Sequence, residues 1–196
     1  MNKPETPTPE PGRLVILSGP SGAGKSTVVK RLLETCSLPL HLVTSATTRP
    51  PREGEEDGVS YHFLSDEEFQ QQRMAGEFLE CKEVFGRGYW YGTPRQDALQ
   101  SLQEGRWVLL EIDVEGARAV LQQHPQAITL FLHVGSLEEL EHRLRSRATD
   151  SEEAIQRRLE VARRELEQKH LYRHEIINSQ LEQAVEEIRR ILAAEA

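Results

Sequence analysis

The chain has 196 residues, with 24 Lys and Arg against 32 Asp and Glu, so its formal net charge is −8 with histidine neutral. That acidic balance excludes a general nucleic-acid coat, whose affinity rests on broad basic surfaces that release counterions. Its 37% apolar and 29% charged residues suit one soluble domain with a real core, and no stretch approaches the ~18 consecutive apolar residues of a membrane span.

Residues 1–12 carry Pro at 4, 7, 9 and 11 among Thr and Glu, a composition that cannot bury a core, so a disordered tail is expected. Leu14-Val15-Ile16-Leu17 reads as a strand buried on both faces, as in parallel sheets. A Gly-rich turn follows, then a helix from Lys25 to Thr35 with Val28, Val29, Leu32 and Leu33 on its buried side. His41 to Ser45 offers a second strand, after which Thr47 to Gly58 is a polar excursion from the core. Ser65-Asp66-Glu67-Glu68 is a capping box for a short helix, with Phe69 and Met74 as its apolar contacts. Glu77 to Phe85, Gly86-Arg87-Gly88 and Tyr89-Trp90-Tyr91 read as strand, turn and strand, so this stretch predicts a small inserted β-rich unit.

Thr93-Pro94-Arg95-Gln96 is a second capping box with Pro at the first helical position, which predicts a helix to about Gln103. Trp107 to Ile112 and Ile128 to Val134 are further apolar strands, with a helix over Val114 to Gln122 between them. Ser136 and Ser151 each open a helix, the second reaching about His170. Glu175-Ile176-Ile177 is a last strand and Leu181 to Leu192 a closing amphipathic helix. Strands alternating with helices predict an α/β fold with a parallel sheet flanked by helices. Cys36 and Cys81 stand outside any CxxC pattern, so reduced thiols are expected. With no signal-peptide pattern at the N-terminus, a cytoplasmic protein without membrane or nucleic-acid partners is expected.

Gly19-Pro20-Ser21-Gly22-Ala23-Gly24-Lys25-Ser26, followed by Thr27, fits the P-loop pattern GxxxxGK[ST] where the mechanism needs it, after a buried strand and at the start of a helix. Its glycines let backbone N–H groups approach anionic oxygens, and the helix N-terminus adds partial positive charge. Lys25 is placed to reach the β- and γ-phosphates of a nucleotide and the Ser26 hydroxyl to ligate Mg²⁺. Arg49 and Arg52, three residues apart in a segment stiffened by Pro50 and Pro51, suit a second phosphate site, since guanidinium forks pair well with phosphate. From those residues alone a solvated charged loop is an equal reading.

Several motifs then agree. The P-loop, Ser45 to Glu55, Gly58-Val59-Ser60-Tyr61-His62-Phe63, Glu77-Phe78-Leu79-Glu80, Tyr91-Gly92-Thr93 and Glu111-Ile112-Asp113-Val114-Glu115-Gly116 occur in the order and spacing of guanylate kinases. The chain resembles that family from about Arg13 to its C-terminus. The resemblance implies a P-loop nucleoside monophosphate kinase fold with a core at 13–45, 93–135 and 159–196, a GMP-binding insert at 46–92 and a mobile lid at 136–158. It implies ATP-dependent phosphorylation of GMP, and of dGMP, to the diphosphate in purine metabolism and GMP recycling, with Mg²⁺. Arg49, Arg52, Tyr61 and Tyr91 would then hold the GMP phosphate, and Ser45, Glu80, Thr93 and Asp113 would line the guanine pocket. Arg143, Arg147 and Arg158 would join Lys25 as the catalytic cations, and Asn178 would lie near the adenine. Asp113 also resembles the acidic residue that orients Mg²⁺ through water in P-loop enzymes, beside Ser26, so a guanine role, a Mg²⁺ role and both stay open for it.

Elementary chemistry agrees with those roles. Guanine presents adjacent N1–H and N2–H donors that an ionised carboxylate accepts, whereas adenine offers an acceptor at N1. Phosphoryl transfer needs cations to bring two anions together, and Arg145, Arg157, Arg163 and Arg164 read instead as a solvated helix face. The chain departs from the family in carrying Glu111 where Asp is usual, Ala148 where Gly is usual, and an altered Arg173 to Gln180 segment. Two other functions compete: a catalytically inactive guanylate-kinase-like module that binds proteins, and a P-loop kinase for another small molecule. Intact Lys25 and Ser26 argue against the first, and the Arg49, Arg52, Tyr61, Glu80 and Tyr91 set against the second. Monomer and homo-oligomer both stay open.

Overall fold

The computed structural model describes residues 12–84, 88–146 and 151–196. The expected tail up to Pro11, the Gly86-Arg87 turn, Arg147 and Ala148 lie outside the described residues. The chain runs β1 (Leu14–Ser18), α1 (Lys25–Thr35), β2 (Leu40–Leu42), β3 (Ala46–Thr47), β4 (His62–Phe63), α2 (Asp66–Met74), β5 (Phe78–Val84) and β6 (Tyr89–Pro94). It continues through α3 (Arg95–Gln103), β7 (Trp107–Glu111), α4 (Val114–Gln123), β8 (Ile128–His133), α5 (Leu137–Ser146), α6 (Glu152–Glu167), a 3₁₀ turn (Lys169–Leu171), β9 (His174–Ile177) and α7 (Leu181–Glu195).

The apolar runs read as strands form one parallel sheet in the order β2-β7-β1-β8-β9. Alternation along β1 explains why it is apolar throughout: Val15 and Leu17 pack with α1 and α7, while Leu14 and Ile16 pack with α3 and α4. Both faces are covered by helices, the α/β architecture expected. Leu33, expected on the buried side of α1, is 38% exposed because one helical step beyond Leu32 turns it off the sheet. Gly12, the last residue of the expected tail, donates its N–H to Leu102 O at 2.8 Å and lies too close to Arg106 to admit a Cβ.

A second sheet, β4-β3-β6-β5, carries the polar excursion and the following hairpin. It has its own small core, in which Phe69 of α2 stacks on Phe78 at 4.5 Å between ring centres and packs beside Trp90. The Ser65 capping box forms in full. Met74 does not join this core: it ends α2 on the solvent side, 81% exposed. The second predicted capping box does not form either. Thr93 belongs to β6, Pro94 takes the N-cap position without a side-chain bond, and the Thr93 hydroxyl donates to a carboxylate across the sheet instead.

Helices α5 and α6 pack through Leu140, Leu144, Ile155 and Leu159, and Arg145 ties them by donating to Glu141 at 2.7 Å and Glu152 at 2.8 Å. Leu140 and Leu144 also press on Gly22, where a Cβ would meet Leu144 at 2.9 Å, so this pair sits directly over the Gly-rich turn. Because Phe69 is fully buried between Phe78 and Trp90 in the small core of the second sheet, Phe69→Ala is expected to cost about 3–5 kcal/mol in urea unfolding. A loss below ~1 kcal/mol would show that the second sheet does not depend on it.

Candidate active site

The C-terminal ends of β1 and β7 open on a cleft of about 530 Å³, bounded by the Gly-rich turn, the β5–β6 hairpin, the start of α4 and Arg158 of α6. Parallel sheets place ligands at this end of their strands. Gly19 passes so close to β8 that a Cβ would sit 2.0 Å from Leu132 O, and Gly24, at φ 90°, turns the chain into α1. No side chain caps α1, so its first N–H groups stay available to an anion. The carbonyls of the turn are held from behind. Lys25 Nζ donates to Gly19 O at 2.7 Å and to Pro20 O at 3.3 Å, and Asn178 Nδ2 donates to Ala23 O at 2.8 Å. Burial lowers the Lys25 pKa, against the pull of Glu111, Glu165 and Asp113.

Ser26, at the start of α1, donates its hydroxyl to Glu111 Oε1 at 2.7 Å. Glu111 ends β7 beside β1, so the longer carboxylate reaches the helix start. Asp113 lines the cleft but already accepts the Gly116 N–H at 2.9 Å as the N-cap of α4, and it forms an ion pair with Lys82.

Opposite, β5 and β6 present Glu80, Lys82, Tyr91 and Thr93 on one face. Glu80 Oε1 accepts the Thr93 hydroxyl at 2.7 Å, and burial, reinforced by Asp113, pushes its pKa up to about 7. Gly116 makes room for it, since a Cβ there would lie 3.0 Å from Glu80 Oε2. Ser45 and Tyr61 line the same cleft.

The two arginines of the polar excursion are not alike. Arg49 is buried: its guanidinium forks onto Glu55 with contacts of 2.9 Å, donates to Tyr91 Oη at 3.2 Å and lies over the Tyr61 ring. Arg52 is exposed and lines the cleft, with its backbone N–H on Glu55. At the other end Arg158 Nη2 donates to Ser21 Oγ at 2.8 Å, while Arg143 donates to Glu139 at 2.9 Å and to Asn178 O at 2.8 Å. Arg147 lies outside the described residues.

Sequence reasoning passed over Lys82, Gly116 and Glu165. Lys82 had a readable signal, two residues from Glu80 and therefore on its face of the strand. Glu165, amid the charged positions of α6, had none. One of its oxygens is buried without a hydrogen-bond partner among the described residues, and burial pushes its pKa to about 7. Glu111, Asp113 and the Ser26 hydroxyl bring oxygen donors to the start of α1, in a cleft that Lys25, Arg52, Lys82 and Arg158 also line. Among the described residues no group of three or more His, Cys, Asp or Glu could hold a metal by itself.

Residues 11–195 match the family model described as guanylate kinase. A guanylate kinase of Rhodopirellula baltica is 54% identical over 94% of this chain and 89% of its own length. One of a Synechococcus species is 48% identical over 98% of this chain and 88% of its own. Among solved structures, the guanylate kinase of Anaplasma phagocytophilum superposes with a TM-score of 0.78 at 31% identity, covering 95% of this chain and 87% of that one.

The acids at 80 and 165 set a pH dependence. Their folded pKa values, about 7, lie above the ordinary 4.5, so the folded state holds these protons more tightly than the unfolded chain. Stability from this source is full below about 4.5 and is lost as pH rises through about 7. Unfolding free energies measured across that window should fall more steeply for the parent than for a Glu80→Gln, Glu165→Gln variant; parallel curves would contradict the burial of both acids.

Proposed function

The chain belongs to the guanylate kinase family, and from that premise we infer that it transfers the γ-phosphoryl group of MgATP to GMP, yielding ADP and GDP. The observation that carries this reading is that the phosphate-binding turn and Glu80, which accepts the buried Thr93 hydroxyl, face one cleft.

The ATP phosphates lie along the N–H groups that open α1, with Lys25 against the β- and γ-phosphates. GMP enters from the second sheet. Glu80, when ionised, accepts guanine N1–H and N2–H, with Ser45, Thr93 and Asp113 around the base. Adenine would set an acceptor against the carboxylate and leave it unpaired in a buried site, which costs far more than a missing apolar contact. Arg52, Tyr61 and Tyr91 take the GMP phosphate, and Arg49 joins them by exchanging part of its fork on Glu55.

An oxygen of the GMP phosphate attacks Pγ in line as the bond from Pγ to the β–γ bridging oxygen breaks, and the electron pair leaves on ADP. The nucleophile is already an anion, so no strong base is required. Catalysis is positioning and neutralisation, supplied by Lys25, Arg143, Arg147 and Arg158. The oxygen donors at the start of α1 fit a hard divalent cation: Ser26 would hold Mg²⁺, with Asp113 and Glu111 orienting its waters. When bound, it supplies neutralising charge at the β- and γ-phosphates.

We assign 46–92 as the GMP-binding part and 136–158 as the lid whose closure excludes water from the transfer. In the described part, Leu140 and Leu144 already rest on the Gly-rich turn. Asn178 acts in this scheme by bracing the turn from behind, beside the adenine end. The reaction belongs in the cytoplasm, where free thiols such as Cys36 and Cys81 persist. The protein-binding alternative gains no support, since Lys25 and Ser26 are intact and share one cleft with Glu80.

In a coupled ADP-release assay with ATP, GMP is expected to be turned over and AMP, CMP and UMP to be poor substrates; turnover with AMP but not GMP would overturn the base assignment. Lys25→Ala should lower kcat by about a hundredfold or more while cooperative unfolding survives. A folded Lys25→Ala chain with parental kcat would remove the lysine from the mechanism.

A further inference from the structure

Two carboxylates of the cleft converge on Gly116, in the first turn of α4: a Cβ there would lie 3.0 Å from Glu80 Oε2 and 3.5 Å from Asp113 Oδ1. Like charges so close in a half-buried site repel each other. The cation that offsets them is Lys82. It follows Glu80 by two residues on β5, so it shares that strand face, and it lines the cleft. Its ammonium forms an ion pair with Asp113 and donates to Glu115 Oε2 at 3.1 Å. The side chains of the Lys82–Asp113 pair are only 29% and 32% exposed, so solvent screens it partly. Asp113 Oδ1 accepts the Gly116 N–H, which leaves Lys82 to fix the second oxygen.

We propose that Lys82 is a specificity-determining positioning residue, which reaches from β5 to the start of α4 and fixes the Asp113 carboxylate in the cleft beside Glu80. The base-reading end then presents two aimed acceptors instead of one. This inference rests on the assignment of GMP to that end of the cleft. Guanine carries N1–H and an N2 amine. Glu80 accepts N1–H and one proton of the amine, and the fixed Asp113 accepts the other. Hypoxanthine keeps N1–H but lacks the amine, so with IMP Asp113 retains only its Gly116 and Lys82 contacts and loses the hydrogen bond that the amine would add. Glu80 alone would separate the two bases by one hydrogen bond. Lys82 adds the second, without itself touching the base.

The test uses the full chain and steady-state kinetics with GMP, with IMP as competitor, and ATP varied separately. Lys82→Met keeps the alkyl stem and removes the charge. It is expected to raise the KM for GMP about tenfold, leave the KM for ATP unchanged, and lower the preference for GMP over IMP by a similar factor. Lys82→Arg should retain most of that preference. Adding Lys82→Met to Asp113→Asn should cost little beyond Asp113→Asn alone, because Lys82 acts on the base only through that carboxylate. Unchanged GMP parameters in Lys82→Met, or effects of the two substitutions that multiply independently, overturn the proposal. If Asp113→Asn is impaired while Lys82→Met is silent, only this inference fails; if Asp113→Asn is itself silent, the base-site reading fails with it.

Discussion

Phosphate-binding backbone must turn its N–H groups inward, so its carbonyls must find partners on the far side, and here the Asn178 amide is such a partner, donating to Ala23 O at 2.8 Å. Gly24 fits only because it has no side chain: a Cβ would meet the Asn178 amide nitrogen at 2.7 Å. The same residue joins the turn to the rest of the fold. Its N–H is held by His133 O at the end of β8, and its own carbonyl takes Arg143 of α5. His133 is buried, contacts Glu175 of β9 at 2.8 Å, and accepts the Gly135 N–H where the chain leaves the sheet for α5. Two strand ends, the turn and α5 are therefore registered to one another through Asn178 and His133. Losing the Asn178 contact would cost more than one bond, because an unpaired buried carbonyl would be free to rotate into the anion site.

Charge in the cleft follows a second rule. An enzyme for two polyanions would be expected to be basic, yet the chain carries −8 overall and lines its cleft with Glu80, Glu111 and Asp113. Each carboxylate has a local partner: Thr93 on Glu80, Ser26 on Glu111, and Gly116 N–H and Lys82 on Asp113. Arg49 is likewise paired, with Glu55. The cleft thus holds its carboxylates in hydrogen-bonded or ion-paired sets, so the net charge of the chain does not describe its interior.

Much of this was legible in the sequence where the signal is local. The P-loop, the apolar strands and the Ser65 and Ser151 caps depend on neighbours in the chain, and they stand where periodicity and capping place them. Strands β3 and β4, of two residues each, were not legible, since what makes them strands is pairing with segments far along the chain. Thr93 shows the same limit. Its local pattern is a helix cap, in which the hydroxyl oxygen would accept a backbone N–H, but pairing with β5 keeps Thr93 in β6, one residue before the N-cap, where its hydroxyl donates to Glu80 across the sheet. Glu111 was noticed as a departure, and the reason its extra methylene is tolerated, a reach to Ser26 from the neighbouring strand, needed the register of β1 and β7. The carboxylate reading of Glu80 came from chemistry and resemblance; the removal of Glu80 from water by Gly116 came from packing.

The central claim is that ATP and GMP occupy the two ends of a single cleft with their phosphates meeting beside Lys25. Calorimetric binding of adenosine and guanosine joined 5′ to 5′ through a polyphosphate chain tests it most directly. The account predicts one molecule bound per chain, more tightly than either nucleotide alone, and displaced by ATP and by GMP separately. Binding that ATP displaces but saturating GMP leaves untouched would contradict it.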